Sequence, residues 1–291
     1  MRAPSFLFVM TCLCWGCFCQ YLDLAKAEYS YLPGENANFE YQRQHVLFNV
    51  PFKVSEKAYF FVGLDYSAIQ FKFHEDQDSY DKEEVENFTS LDLAFSYIYE
   101  LKNDWYLGMK LAPSFTSNLE MKLESGDFLL SGLVVFVKDK MDTEVVKKPH
   151  RIIAGMYYTT TSRFPAPFPF FSYYRKFHER WSYTVGAPSS NLKYYLGEKN
   201  RFQLYAEGDG FNAHIQNGVL VNDALFADRI RMFLILAGLR YEYSISKHFE
   251  AYLNLTRTVF SDVQLRDGKD NVFVPNIDNA MLYRVGVRCK I

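Results

Sequence analysis

Beyond residue 20 the sequence has no apolar run long enough to cross a bilayer as a helix. A spanning helix needs roughly 18 or more such residues. If the mature chain enters a membrane, it must do so as a closed barrel, which satisfies its own backbone hydrogen bonds. Cysteine is nearly absent from the body of the chain. Cys12, Cys14, Cys17 and Cys19 crowd the first twenty residues, and Cys289 stands alone. One cysteine builds no disulfide framework. Charge of one sign is lacking too. A net charge of −2 exerts no general pull on nucleic acid, so no such partner is expected. There is no G-x-S-x-G and no HExxH. No catalytic, cofactor-binding or metal-binding residue is therefore nominated, no cofactor is expected, and the chain does not read as an enzyme.

What is present is aromatic. Phe (27) and Tyr (22) lift the aromatic share to 18% while charged residues keep 23%, and mean hydropathy stays slightly negative. Aromatic and charged residues must therefore be interleaved, as in a barrel wall, rather than segregated into apolar spans.

The clustered cysteines lie within an apolar stretch, Phe6 to Cys19, preceded by Arg2. This is the layout of an export signal, and a signal over 1–19 with a barrel domain over 20–291 is expected. Cys17 and Cys19 suit a cut before Gln20. Ala25 and Ala27 offer a second site, and a lipoprotein-type cut before Cys17 a third.

The apolar residues recur with a period of two. Leu91, Leu93, Phe95, Tyr97, Tyr99 and Leu101 alternate with Asp92, Ala94, Ser96, Ile98 and Glu100. Trp105–Leu111, Trp181–Val185, Phe202–Ala206 and Phe249–Leu255 repeat the pattern. Alternation alone fits a soluble sandwich as well as a membrane barrel. Three features favour the barrel. Segments such as Lys57–Phe73 and Ile230–Ile245 exceed ordinary soluble strands. Short turns at 55–57, 102–104, 177–180, 197–200 and 246–248 alternate with longer connections at 74–86, 117–126, 209–228 and 261–276. The 139–148 connection is an exception, long on the short-turn side. Tyr99, Trp105, Tyr174, Trp181, Phe202, Tyr243 and Phe249 flank the short turns, where an aromatic girdle belongs.

An all-β, single antiparallel transmembrane barrel of about fourteen strands follows, with twelve as the fallback. The strands are expected at 24–33, 37–53, 57–73, 87–101, 104–117, 127–138, 149–160, 166–176, 179–187, 190–197, 200–212, 230–245, 248–260 and 278–290. Pro165, Pro167, Pro169 and Pro188 interrupt the pattern in the eighth to tenth. The last strand places Met281, Tyr283, Val285, Val287, Cys289 and Ile291 on one face, and Arg284, Gly286, Arg288 and Lys290 on the other. It resembles the assembly signal of outer-membrane barrels, without a final aromatic. Pairing with the first strand would remove the exposed edge.

The stretches YSYLPG (29–34), NVPFKVSEKAYFFVGLDYSAIQF (49–71), LAFSYIYELKNDWYLGMKLAPSFTSN (93–118) and PFPFFSYYRKFHERWSYTVGAP (167–188) carry a resemblance. The chain is similar to an uncharacterised family of outer-membrane β-barrels, catalogued as a domain of unknown function. The resemblance implies location in the outer membrane and barrel architecture, and supplies no catalytic residue. Outer-membrane lipid and the barrel-assembly machinery, met through the C-terminal strand, are the partners expected.

Of the histidines (His45, His74, His150, His178, His214 and His248), none has metal spacing, and His178 and His248 fall in turns. HEDQDSYDKEEVE at 74–86 holds seven acids and one lysine. It reads as a solvated outer loop, with divalent-cation binding as the alternative. The polar strand face carries Asp65, Asp92, Glu100, Glu207 and Glu250 against Lys110, Arg201, Arg240, Arg284 and Arg288. These charges either line a watery path or pair and plug the lumen. Passage or binding of small solutes or apolar molecules is the leading expectation. A surface-interaction barrel acting through its outer loops, and an outer-membrane hydrolase, are the alternatives.

Overall fold

The computed structural model describes residues 23–34, 39–73, 81, 83–120, 122–141, 148–160, 166–221, 225–268, 270–273 and 279–290. The expected export signal and most of the 74–86 loop lie outside the described residues. The strands are β1 (Asp23–Leu32), β2 (Phe39–Ser55), β3 (Ala58–Phe73), β4 (Asn87–Glu100) and β5 (Trp105–Ser117). They continue with β6 (Phe128–Lys140), β7 (His150–Thr159), β8 (Phe168–His178), β9 (Trp181–Gly186) and β10 (Ser189–Leu196). The last are β11 (Asn200–Val221), β12 (Leu225–Ser244), β13 (Phe249–Asp267), β14 (Asp270–Phe273) and β15 (Met281–Lys290).

Each strand from β1 to β13 pairs antiparallel with the next. β15 inserts between β13 and β1 and closes the ring. β14 is a short ribbon on β13 alone. The wall is therefore a fourteen-stranded barrel, with every expected strand in its place. Closure leaves the C-terminal strand no free edge, as its pattern required.

The exterior is apolar. Leu64, Phe95, Val134, Leu204, Leu239, Val285 and Val287 lie exposed on it, a surface suited to lipid rather than water. At the short-turn end, called here the turn end, Tyr99, Trp105, Phe202, Tyr243 and Phe249 stand exposed as the girdle. Tyr174 departs from that expectation. It projects inward and lines a cavity, because the alternation of β8 turns its even positions to the lumen.

The opposite end, the loop end, corrects two expected long loops. Residues 209–221, 225–228 and 261–267 are strand, so β11, β12 and β13 run to 22, 20 and 19 residues. Residues 209–218 carry the small and polar side chains of a loop. They also alternate, and Phe211, Ala213 and Ile215 are buried. This part of the sheet bends across the barrel mouth instead of projecting outward. His214 of β11 pairs in parallel with Ser117 of β5, six strands away around the ring. Asn217 and Gly218, at φ 69° and 65°, mark an irregularity in the β11–β12 ladder. The inward faces of β11–β13 and β15 pack on those of β1–β4. Phe39, Tyr41, Ile69, Phe71 and Phe88 meet Phe211, Ile215, Ile230, Met232 and Leu282 there. The Phe211 ring lies 5.5 Å from that of Phe88 and 5.9 Å from that of Phe71. The loop-end half of the barrel is thus a two-layered sandwich on one side, which leaves open space beside β5–β8.

Candidate lumenal site

Three structures divide the lumen. The first is an ionic belt below the sandwich. Arg284 of β15 reaches Glu207 at 2.6 Å, Asp209 at 2.5 Å and Glu28 at 3.6 Å. Arg43 lies 3.6 Å from Asp209, and Arg240 3.6 Å from Glu207. His45 Nε2 is 2.7 Å from Asp65, and the Tyr252 hydroxyl donates to Glu28 at 2.5 Å. The alternation placed Asp65, Glu207, Arg240 and Arg284 on the inner face. In this belt they pair with one another, which is the plugging arrangement. Breaking such a buried set by removing one partner typically costs about 3–5 kcal/mol, because the other charges stay buried.

The second is a chamber of about 470 Å³ on the turn side of the belt. Lys193, Arg201, Arg288 and Lys290 gather there around Glu242 and Glu250. Lys193 is 3.0 Å from Glu242, Arg288 is 3.0 Å from Glu242, and Lys290 is 2.9 Å from Glu250. Arg201 and Arg288 also pair with Glu250. The two carboxylates are 1% and 4% exposed, whereas the four cations are 19–24% exposed. The acids therefore lie beneath and the cations face the water. Asp23 also lines the chamber, and four positive groups against Asp23, Glu242 and Glu250 leave this cluster electropositive.

The third is a chamber of about 790 Å³ on the loop side, between β4–β8 and the inturned β11–β12 sheet. Ser90, Ser114, Thr116, Ser131 and Thr159 line it with hydroxyls, and Tyr157, Phe168 and Phe233 with rings. Asp92 projects into it, bonded to the Ser90 hydroxyl at 3.0 Å.

A latch holds the inturned hairpin to the β5–β6 connection. His214 Nδ1 is 2.7 Å from Asp127 Oδ1, and Gln216 Nε2 donates to Asp127 Oδ2 at 2.8 Å. Asn118 Oδ1 accepts from the Gln216 backbone N–H at 2.9 Å. Gly126 leaves room for the imidazole, since a Cβ there would meet His214 Nε2 at 2.6 Å. Burial works against the charge on Asp127. The Glu124 backbone N–H, His214 and Gln216 outweigh it and hold the carboxyl below its usual range. A histidine and an acid converging on one rim is what the hydrolase alternative needed. The Ser117 hydroxyl, however, accepts from the Leu119 N–H at 3.3 Å and makes no hydrogen bond to His214. Among the described residues the pair has no nucleophile within hydrogen-bond reach.

The sequence had placed His214 and Asp127 in no role. Their 87-residue separation leaves no local signal. His178 and His248 lie at turns as expected, accepting from the Arg180 N–H and adjoining the Lys290 carbonyl. Of the acidic loop, Glu83–Val85 form a single 3-10 turn that buries Val85 in the sandwich.

No curated protein is significantly similar to the chain in sequence. Among solved structures it is similar to the KdgM porin, at 9% identity and TM-score 0.39, over 91% of this chain and 99% of that one. It is also similar to the COG4313 outer membrane channel from Pseudomonas putida F1, at 10% identity and TM-score 0.47, over 94% and 98%. LpxR from Salmonella typhimurium is a third, at 6% identity and TM-score 0.42, over 92% and 100%. The domain of unknown function DUF6268 matches residues 34–290, nearly the whole barrel, and the chain belongs to that family.

Proposed function

We propose that this is an outer-membrane barrel that holds and passes small solutes, and that its turn-side chamber selects for anions. In this reading residues 1–19 export the chain and β15 presents it to the assembly machinery. The short turns face the periplasm, and lipid covers the apolar band. The observation that carries the reading is the stack of Lys193, Arg201, Arg288 and Lys290 over two buried carboxylates. Cations that outnumber the acids along a lumenal chamber favour anions by simple electrostatics. The test is a planar bilayer with a KCl gradient across the purified, folded barrel. The expected result is a small conductance with an anion-selective reversal potential, which moves toward cations in Lys193→Glu. A barrel that is silent, or cation-selective, would overturn the proposal.

A further inference from the structure

β9 and β10 are too short for the wall they belong to. β9 has six residues and β10 eight, against ten or more in every other wall strand. At about 3.3 Å per residue β9 runs roughly 20 Å. With a tilt of 35–45° it gains only about 15 Å of height, against an apolar band of about 25 Å. The two strands meet in a tight turn at Gly186–Ser189, inside the height of the membrane.

Their neighbours continue past them. β9 pairs with β8 only as far as Ser172, and the Ala187 N–H bonds to the Phe171 carbonyl. Among the described residues, no strand pairs with 168–170 of β8 on that side. β11 pairs with β10 only as far as Glu207, and the Gly208 N–H bonds to the Pro188 carbonyl. From Asp209 to Ala213 β11 likewise has no strand on that side among the described residues. Because the β11–β12 sheet bends inward here, the two free edges flank a notch above the β9–β10 turn. Both flanks line the 790 Å³ chamber: Phe168 and Tyr157 from one, Gly208, Gly210 and Asn212 from the other, with Phe233 beside them. Phe233 is 37% exposed, and the glycines leave the β11 flank bare.

The chamber contains one further feature that points to a ligand. Arg231 lines it and makes no ion pair or hydrogen bond among the described residues, in a lumen where most arginines do. An unpaired guanidinium beside aromatic rings and open to the lipid side suits an anionic head group on an apolar body.

We propose that the notch is a lateral portal through which a membrane-dissolved amphiphile with an anionic head enters the loop-side chamber and is held by Arg231. The proposal rests on the barrel standing in the outer membrane with its turns toward the periplasm, and it extends that reading to a second class of ligand. The portal admits molecules from the outer leaflet, whereas the electropositive chamber acts on solutes from water.

The probe is a C16 carboxylate with a photoactivatable diazirine on its chain, incorporated into liposomes holding the full folded barrel. Its C16 alcohol is the control. After illumination the labelled residues are mapped by mass spectrometry. Labelling at Tyr157, Phe168 and Phe233 is expected, saturable by unlabelled hexadecanoate. Arg231→Gln should weaken the carboxylate about tenfold, the loss of one charge-assisted bond, and leave the alcohol unchanged. Gly210→Trp should abolish labelling by both. A Cβ at Gly210 meets nothing closer than 3.6 Å, so the indole can occupy the notch without disturbing the strand. Heat-modifiable migration verifies that both variants fold. Labelling spread over outward residues such as Val134 and Leu239, unchanged in both variants, would overturn the portal. The bilayer conductance of the same variants is a separate readout. If anion selectivity persists while chamber labelling fails, the portal alone is lost.

Discussion

At the scale of single residues the lumen is governed by partners that sequence position does not announce. Asp127 is fully buried, yet it is the acid that fastens the inturned hairpin. Its carboxyl is held below the usual range, so its ionised form favours the latched fold. A carboxyl with a lowered folded-state value contributes its stability above the unfolded value of about 3.9. That contribution fades as pH falls through the folded value. The latch should therefore hold at neutral pH and loosen only below about pH 4. His214 and Gln216 then lose the charge they bind. Single-channel recordings between pH 3 and 7 should show larger open-state fluctuations only at the acid end. Asp127→Ala should show them at pH 7. Equal fluctuations across the range in both proteins would show that the latch does not hold the hairpin. Period-two alternation did make the side of the wall legible: it placed Arg284 and Glu207 inside and Val285 and Val287 outside. It could not show that Arg284 meets Glu28 from the far end of the chain, because that contact arises only on closure.

At the scale of elements, strand positions were legible and strand ends were not. The fourteen wall strands were marked by alternation and by short turns. The ends of β11, β12 and β13 were obscured by glycines and polar residues that normally signal loops. These residues are tolerated because the sheet bends over the mouth and its other face buries Phe211 and Ile215. Pro169, one of the prolines that interrupt the alternation, also has a structural reading. Pro169 pairs opposite Met156 where β8 has become an edge, and an edge tolerates a missing donor. The short wall at β9–β10 depends on Gly186. Its φ is 134°, and a Cβ there would lie 2.0 Å from the Phe171 carbonyl oxygen. A side chain cannot be accommodated without moving the β8 backbone. Gly186→Val should cost roughly 1–3 kcal/mol of strain or more. It should lower the temperature at which the folded band is lost in heat-modifiable migration. Gly132→Val provides the contrast, because Gly132 lies in extended strand and a Cβ there meets nothing closer than 3.7 Å. An equal drop in both would refute a role for close packing at the β9–β10 turn.

At the scale of the whole molecule the inturned sheet decides how open the barrel is. Fourteen strands alone would enclose a lumen wider than side chains can fill. Here the β11–β13 extensions fill one side of it with an apolar layer, and the ionic belt crosses beneath. Full burial of one large apolar side chain contributes about 1.5–3 kcal/mol. Ile215, Ile230 and Met232 are each 1% exposed or less, so swinging the hairpin out would forfeit several such contributions. Thermal motion alone therefore leaves it in place. Ile215→Glu should reverse that balance, because an unpaired carboxylate in the apolar layer is far costlier than one in water. The hairpin should leave the mouth while the rest of the wall, which does not depend on it for closure, stays paired. Conductance should rise severalfold in planar bilayers. Selectivity should change little, because Lys193, Arg201, Arg288 and Lys290 sit on the other side of the belt. A folded Ile215→Glu barrel with unchanged conductance would mean that the ionic belt, rather than the hairpin, limits passage.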